Sequence, residues 1–338
     1  MRGTLLTAPF EVISEDRPDA QIIEPTDAVV RTSATCVCGS DLWHYRGINP
    51  FHGPKSVGHE YCGVVEAVGE DVTAVRPGQF VVGGFTASCG KCPHCLSGVQ
   101  TACVEKFNYD DCQAELIRVP NADGTLVATP EPPDPALIPS LLTLSDVMST
   151  GWHAATCAGV EAGMTVAVVG DGAVGLCGVL AAAEMGAERV IAMSRHEPRQ
   201  QLAREFGATD LIAERGDDGV AKIMELTEGV GADAVLECVG TNDSMLQALA
   251  SARPGATVGY VGVPHGIELP IRQMFNRNVG LRGGMAPARH YLPDLMGRVL
   301  AGQINPGRVF DLELPLAEVA EAYRAMDERR AIKVLLRP

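Results

Sequence analysis

The chain has 338 residues, 46% hydrophobic and 20% charged, with 37 Gly and 22 Pro, a globular usage that excludes disorder as the main state. At roughly 100 to 200 residues per domain this length predicts two domains. With 27 Lys and Arg against 42 Asp and Glu, the net charge of −15 and the lack of a basic cluster argue against nucleic acid as a partner.

The N-terminal residues carry no signal-peptide core before Glu11, Glu15 and Asp16 interrupt, which predicts a cytoplasmic protein. Up to about Pro139, short β-branched runs with Gly and Pro punctuation (Ala28–Thr32, Cys62–Val68, Gln79–Gly83) predict a mostly β domain. This stretch also holds most of the chemistry. Cys38-Gly39-Ser40-Asp41 and Gly58-His59-Glu60, joined later by Ser145-Asp146, offer thiolate, imidazole and carboxylate, which together make a three-ligand zinc site with room for water or substrate. Taken singly, Cys38 reads equally as a core thiol, His59 as a satisfied core histidine and Asp146 as a helix N-cap; their company decides. Between them, Cys89-x2-Cys92-x2-Cys95-x7-Cys103 places four thiolates in one short loop, enough to close a structural zinc site, with His94 redundant. Eleven cysteines, an odd count in a long chain, fit metal ligands and buried thiols better than disulfides.

From about Gly163, strand-like runs (Thr165–Gly170, Arg189–Met193, Ala208–Ala213, Asp233–Gly240, Thr257–Gly262) alternate with helix-like ones, among them Glu197–Phe206 and Gly219–Thr227, which predicts a parallel α/β sheet. The longest uncharged apolar stretch, Gly172–Ala183, is short of the roughly 18 residues a spanning helix needs, so no membrane partner is expected. It opens in a glycine motif, Gly170-Asp171-Gly172-Ala173-Val174-Gly175, where a tight turn and a helix N-terminus form a pyrophosphate cradle for a dinucleotide. At the end of the second strand, Met193-Ser194-Arg195-His196 lacks the carboxylate that would bind the ribose hydroxyls of NAD. A hydroxyl and a guanidinium there, with Arg199 nearby, favour the 2′-phosphate of NADP. After about Gly283 the mixed texture returns, with a helix expected over Leu316–Glu328 and an apolar run Ile332–Leu336.

These motifs, in this order, resemble the zinc-dependent medium-chain alcohol dehydrogenases; Gly58-His59-Glu60-x2-Gly63-x5-Gly69-x2-Val72 matches the family's zinc motif and the resemblance spans the chain. It implies a GroES-like catalytic domain split in sequence, 1–146 and 283–338, with a zinc lobe at about 89–103, around a Rossmann domain at 147–282. Cys38, His59 and Asp146 become catalytic zinc ligands of the Cys/His/Asp branch, and Glu60 lies beside the metal. Asp41 orients the zinc histidine and Ser40 relays the alcohol proton. The relay histidine expected three residues after Ser40 is replaced by Trp43, leaving His44 as the adjacent candidate. Thr150, Val261 and Gly280 fall at the nicotinamide and Lys333 at the cofactor phosphates. Trp43, Phe85, Tyr109, Met285 and Ala286 are candidate pocket walls, an apolar lining that favours a hydrophobic alcohol or carbonyl. The activity implied is hydride transfer between NADP(H) and an alcohol or its aldehyde or ketone, with two zinc ions per chain, in a homodimer or homotetramer. The rivals are a polyol, an amino alcohol such as threonine or a formaldehyde adduct as substrate, and a non-catalytic NADPH-binding or zinc-sensing protein.

Overall fold

The β-branched run after Asp27 becomes the strand Ala28–Cys36, the centre of a seven-stranded sheet. It pairs antiparallel with Tyr61–Val68, Leu116–Val119 and Lys333–Arg337, and Phe80–Gly83, Leu126–Ala128 and Phe310–Pro315 complete the sheet. Inward residues Val30, Tyr61, Val65, Val81, Ile117 and Leu126 form one core. At roughly 1.5–3 kcal/mol for each large side chain withdrawn from water, such a cluster fixes the strand register. Where this sheet begins, Asp27 is fully buried and accepts from Arg118 Nε at 2.6 Å, from Arg118 Nη2 at 3.2 Å and from the backbone N–H groups of Ile23 and Glu24.

The computed structural model describes residues 1–338, and the chain divides into two units, Met1–Ser149 with Pro287–Pro338, and Thr150–Ala286. In the first, a second core joins Leu6, Val37, Leu42 and Tyr45 to Val319, Tyr323 and Leu336. The helix over Val319–Asp327 buries Val319, Ala322, Tyr323 and Met326, the i, i+3, i+4, i+7 stripe of an amphipathic helix. Its expected first turn, Leu316–Glu318, is a tighter 3-10 turn following Pro315.

The second unit is a six-stranded parallel sheet. Its spatial order is Asp210–Ile212, Arg189–Met193, Thr165–Val169, Ala232–Glu237, Ala252–Tyr260, Gly280–Gly283. This is the doubly wound order of a Rossmann fold, whose ligands lie beyond the C-terminal strand ends. The central strand Thr165–Val169 is buried from Val166 onward, which explains its unbroken apolar sequence. The last long strand starts at Ala252, earlier than the expected Thr257, because Ala252 pairs with Ala232 ahead of an irregularity in the ladder. The helix Ala173–Glu184 buries eight of its residues, Gly175 among them. A side chain at Gly175 would strike the Gly170 carbonyl, so the close turn requires glycine there. No helix is long and apolar enough to cross a membrane.

Candidate active site

The strand Ala28–Cys36 delivers Cys38 at its end, the turn before Tyr61–Val68 delivers His59 and Glu60, and the segment before the helix Val147–Ala158 delivers Asp146. One ligand atom from each of the four lies within 4.8 Å of the others. The Cys38 thiol donates to Asp146 Oδ2 at 3.5 Å, and His59 Nε2 is 3.4 Å from the same oxygen. Ser145 holds these segments together: its Oγ accepts from the Tyr61 N–H at 3.2 Å and its carbonyl from the Phe85 N–H at 3.1 Å. Asp41 Oδ1 stands 3.4 Å from His59 Nδ1 while its Oδ2 accepts the Cys38 N–H at 2.9 Å. A carboxylate on Nδ1 fixes the tautomer that leaves Nε2 as the ligand atom.

The electrostatics call for a cation. Burial alone would push the His59 imidazole down, but Asp41, Cys38 and Asp146 outweigh it and hold it well above the usual histidine range. Burial and the Asp146 carboxylate push the Cys38 thiol up. Glu60 is fully buried; one of its oxygens takes Lys333 Nζ at 2.7 Å, and the other, Oε2, has no hydrogen-bond partner. A buried orphaned oxygen beside thiol, imidazole and carboxylate suits zinc, whose ligands are sulfur, nitrogen and oxygen.

Lys333 departs from the expectation that it meets the cofactor phosphates. It lies on an interior strand with its side chain 1% exposed, bonded to Glu60 and, at 3.2 Å, to the Val37 carbonyl. Burial pushes it down, but Cys36, Glu60 and Cys38 hold the ammonium well above the usual lysine range, so its charge is committed inside the sheet. Tyr109, expected as a pocket wall, is a core residue, buried against Tyr61 with their hydroxyls 3.2 Å apart. Phe85 does stand at the site, its ring edge-on to His59 with centroids 6.3 Å apart. Ser40 immediately precedes the short helix Asp41–Tyr45 and makes no side-chain capping bond to it; Trp43 and His44 on that helix are half-buried. Burial and Lys55 lower the His44 imidazole.

The four lobe cysteines converge within one loop. Cys92 and Cys95 sulfurs are 3.5 Å apart, Cys103 and Cys89 3.5 Å, and Cys92 and Cys103 3.9 Å. A tetrahedron of sulfurs at about 2.3 Å from zinc has edges of about 3.8 Å. Backbone N–H groups of Cys95 and Val104 pull the Cys92 thiol down to about 6, while burial and the Cys92 and Cys103 sulfurs push Cys95 up to about 12, so the crowded sulfurs ionise together only around a cation. None of the eleven cysteines is in a disulfide.

In the second unit the glycine motif stands at the start of the helix Ala173–Glu184, with Gly172 exposed and Ala173 and Val174 half-buried. Beside it, Ser194 Oγ donates to Asp171 Oδ2 at 2.9 Å, Arg199 Nη1 donates to the Asp171 carbonyl at 3.0 Å, and Arg215 Nη2 is 3.6 Å from Asp171 Oδ2. Arg195 is exposed next to them. Sequence reasoning missed Asp171 and Arg215; the available signal was a cation just past the third strand, where the sheet order sets neighbouring strand ends together. Val261 donates its N–H to the Glu237 carbonyl at 2.9 Å, and Gly280 opens the edge strand. Thr150 and Ala286 are buried, while Met285 is 55% exposed.

Residues 24–131 match the alcohol dehydrogenase GroES-like domain and residues 173–301 the zinc-binding dehydrogenase domain. A zinc-type alcohol dehydrogenase B of Aspergillus flavus is 33% identical over 351 residues, spanning 100% of this chain and 81% of that protein. The chain belongs to the zinc-dependent medium-chain dehydrogenases. An L-threonine 3-dehydrogenase of Bacillus licheniformis is 29% identical across 94% of this chain and 92% of its own length. The solved alcohol dehydrogenase TADH from Thermus sp. ATN1 superposes with a TM-score of 0.92 at 32% identity, covering 100% of this chain and 99% of that one. The chain is thus an oxidoreductase of the zinc-type alcohol dehydrogenase class, a class that uses zinc and a nicotinamide cofactor on small alcohols or their carbonyls.

Proposed function

We propose that this oxidoreductase prefers NADP(H) and interconverts a hydrophobic alcohol with its aldehyde or ketone. The observation that carries the cofactor choice is the second strand's end, where Ser194 is followed by exposed Arg195 and flanked by Arg199 and Arg215. The Arg199 and Arg215 guanidiniums gather on Asp171, and with exposed Arg195 they make a cationic rim suited to a 2′-phosphate. Gly170, Gly172, Ala173, Val174 and Gly175 are assigned to the pyrophosphate, and Thr150, Val261 and Gly280 to the nicotinamide.

In this reading Cys38, His59 and Asp146 hold the catalytic zinc, with Glu60 beside it, and Cys89, Cys92, Cys95 and Cys103 hold the structural one. Zinc, when bound, supplies Lewis-acid polarisation of the substrate oxygen. Asp41 keeps His59 in the ligating tautomer. The Ser40 hydroxyl takes the alcohol proton, and His44, four residues on and so on the same helical face, passes it outward. Its lowered basicity keeps the imidazole neutral, and hence able to accept, at neutral pH. Trp43, Phe85, Met285 and Ala286 are assigned to the substrate's apolar body. Assembly as a homodimer or homotetramer in the cytoplasm belongs to the same proposal.

The test follows NADPH and NADH consumption over a panel of aromatic and aliphatic aldehydes, ketones and sugars, with and without o-phenanthroline. Expected are chelator-sensitive turnover of hydrophobic carbonyls and a preference for NADPH that Arg195→Ala reduces at least tenfold. Equal use of NADH by the wild type, or an Arg195→Ala change common to both cofactors, sinks the NADP assignment. Turnover confined to threonine or to polyols sinks the substrate class.

A further inference from the structure

We propose that Gln113 is a positioning residue of the mixed metal site, a buried clasp that fixes Asp41 and through it His59, with Tyr323 as its anchor. Gln113 is 1% exposed and sits where three site-bearing segments meet. Its Nε2 donates to the Cys36 carbonyl at 3.1 Å, two residues before Cys38, and reaches Asp41 Oδ2 at 3.4 Å. Its Oε1 accepts the Tyr323 hydroxyl at 3.3 Å from the helix Val319–Asp327. Nε2 also lies 3.2 Å from the Tyr323 hydroxyl; its other two partners, the Cys36 carbonyl and the Asp41 carboxylate, can only accept, and they fix which end of the amide is the nitrogen.

The backbone adds a further tie. Gln113 N–H donates to the Val57 carbonyl at 3.2 Å and Cys112 N–H to the Gly58 carbonyl at 3.0 Å, immediately before His59. Gly58 has φ +97, and a Cβ there would lie 2.5 Å from Gln113 Cγ, so the glutamine packs directly on the turn that presents the histidine. Asp41 Oδ2 is thereby held by the Cys38 N–H and the Gln113 amide together, which leaves Oδ1 turned to His59 Nδ1. Partners of this outer kind typically change metal affinity 10- to 100-fold.

The test uses the zinc-loaded full chain and Gln113→Met, which keeps the volume against Gly58 and removes the amide, beside Tyr323→Phe, which removes one hydroxyl. Zinc release to a chromogenic chelator is followed in time, and the phase belonging to the mixed site is the one missing from His59→Ala. Gln113→Met is expected to speed that phase about tenfold, to leave the four-cysteine phase unchanged and to shift the visible bands of the cobalt-substituted protein. Tyr323→Phe should act in the same direction and less. An unchanged phase and spectrum in Gln113→Met protein with native circular dichroism overturns the proposal; so does equal acceleration of both phases, which marks general loosening. Should Gln113→Met fail to fold, Tyr323→Phe decides by the same two readings.

Discussion

The two metal-ligand clusters of the first unit are built on opposite plans. The four-cysteine lobe draws every ligand from one loop, Cys89 to Cys103, and the sulfurs already sit near the edge lengths of a zinc tetrahedron. The mixed cluster takes Cys38, the pair His59 and Glu60, and Asp146 from three separate segments and keeps them in place with Asp41, Ser145 and the buried sheet. A local cluster needs only its own loop to form, and it closes all four positions with one kind of atom. A dispersed cluster can form only after the fold does, and in return it mixes donor types and leaves a carboxylate oxygen unclaimed. Completeness fits one cluster for architecture; incompleteness fits the other for chemistry.

Changes at the two sites should therefore separate activity from stability. The largest effect is expected for Cys38→Ser or His59→Ala. Removing several kcal/mol of oxygen polarisation should lower kcat by roughly a thousandfold or more, while NADPH affinity, read by fluorescence titration, stays within about twofold. Equal loss of cofactor binding would erase the distinction between the clusters. Next comes Cys95→Ser in the lobe, which should halve the zinc content and destabilise the protein by several kcal/mol, seen as a lower Tm and as proteolysis near the loop. Activity at low temperature should fall far less than with the first pair, and a thousandfold loss there would show that the lobe is not merely architectural.

Asp41→Asn sharpens the contrast further, because only the mixed site depends on an oriented imidazole. Its zinc affinity should drop about 10- to 100-fold with the lobe unaffected, as measured by metal competition. The smallest effect concerns pH. His44 faces Lys55, Asp110 and Asp41, and burial and Lys55 outweigh the two carboxylates to place its pKa below the usual 6.5. The neutral, proton-accepting form thus persists down to that lowered value, and alcohol oxidation should decline only as pH falls through it. His44→Gln should flatten this acidic limb of the kcat profile and change the rate at neutral pH only several-fold; an unaltered limb would remove His44 from the relay.

The same contrast explains what the sequence could and could not disclose. Cysteine spacing is a local quantity, so the lobe is visible at once, as is the strand, glycine turn and helix around Gly170 to Gly175. Cys38, His59 and Asp146 are each ambiguous alone and become a site only as a set. Lys333 shows the limit: the resemblance puts it at the cofactor phosphates, whereas its partner is Glu60, 273 residues away across the sheet. Tyr109 reads as a wall as one of an aromatic, apolar set, and only the packing against Tyr61 places it in the core. Arg215 and Gln113 went unseen for a related reason, since the strand ends and helix that give them partners are neighbours only in the folded sheet.

The strand Lys333–Arg337 lies between Ala28–Cys36 and Phe310–Pro315, inside the seven-stranded sheet rather than at its margin. During synthesis, residues 150–286 emerge with all of their own sheet in hand, and such a unit can fold while the ribosome is still at work. The first unit must wait, with the edge of Ala28–Cys36 unpaired on that side, until some 300 further residues have been added. Pairing across so long a loop is intrinsically slow, which exposes the half-built sheet to wrong partners. The Lys333 that then swings into place brings its ammonium to 2.7 Å from Glu60, so closing the sheet and pairing the buried carboxylate become a single late event in the protein's assembly.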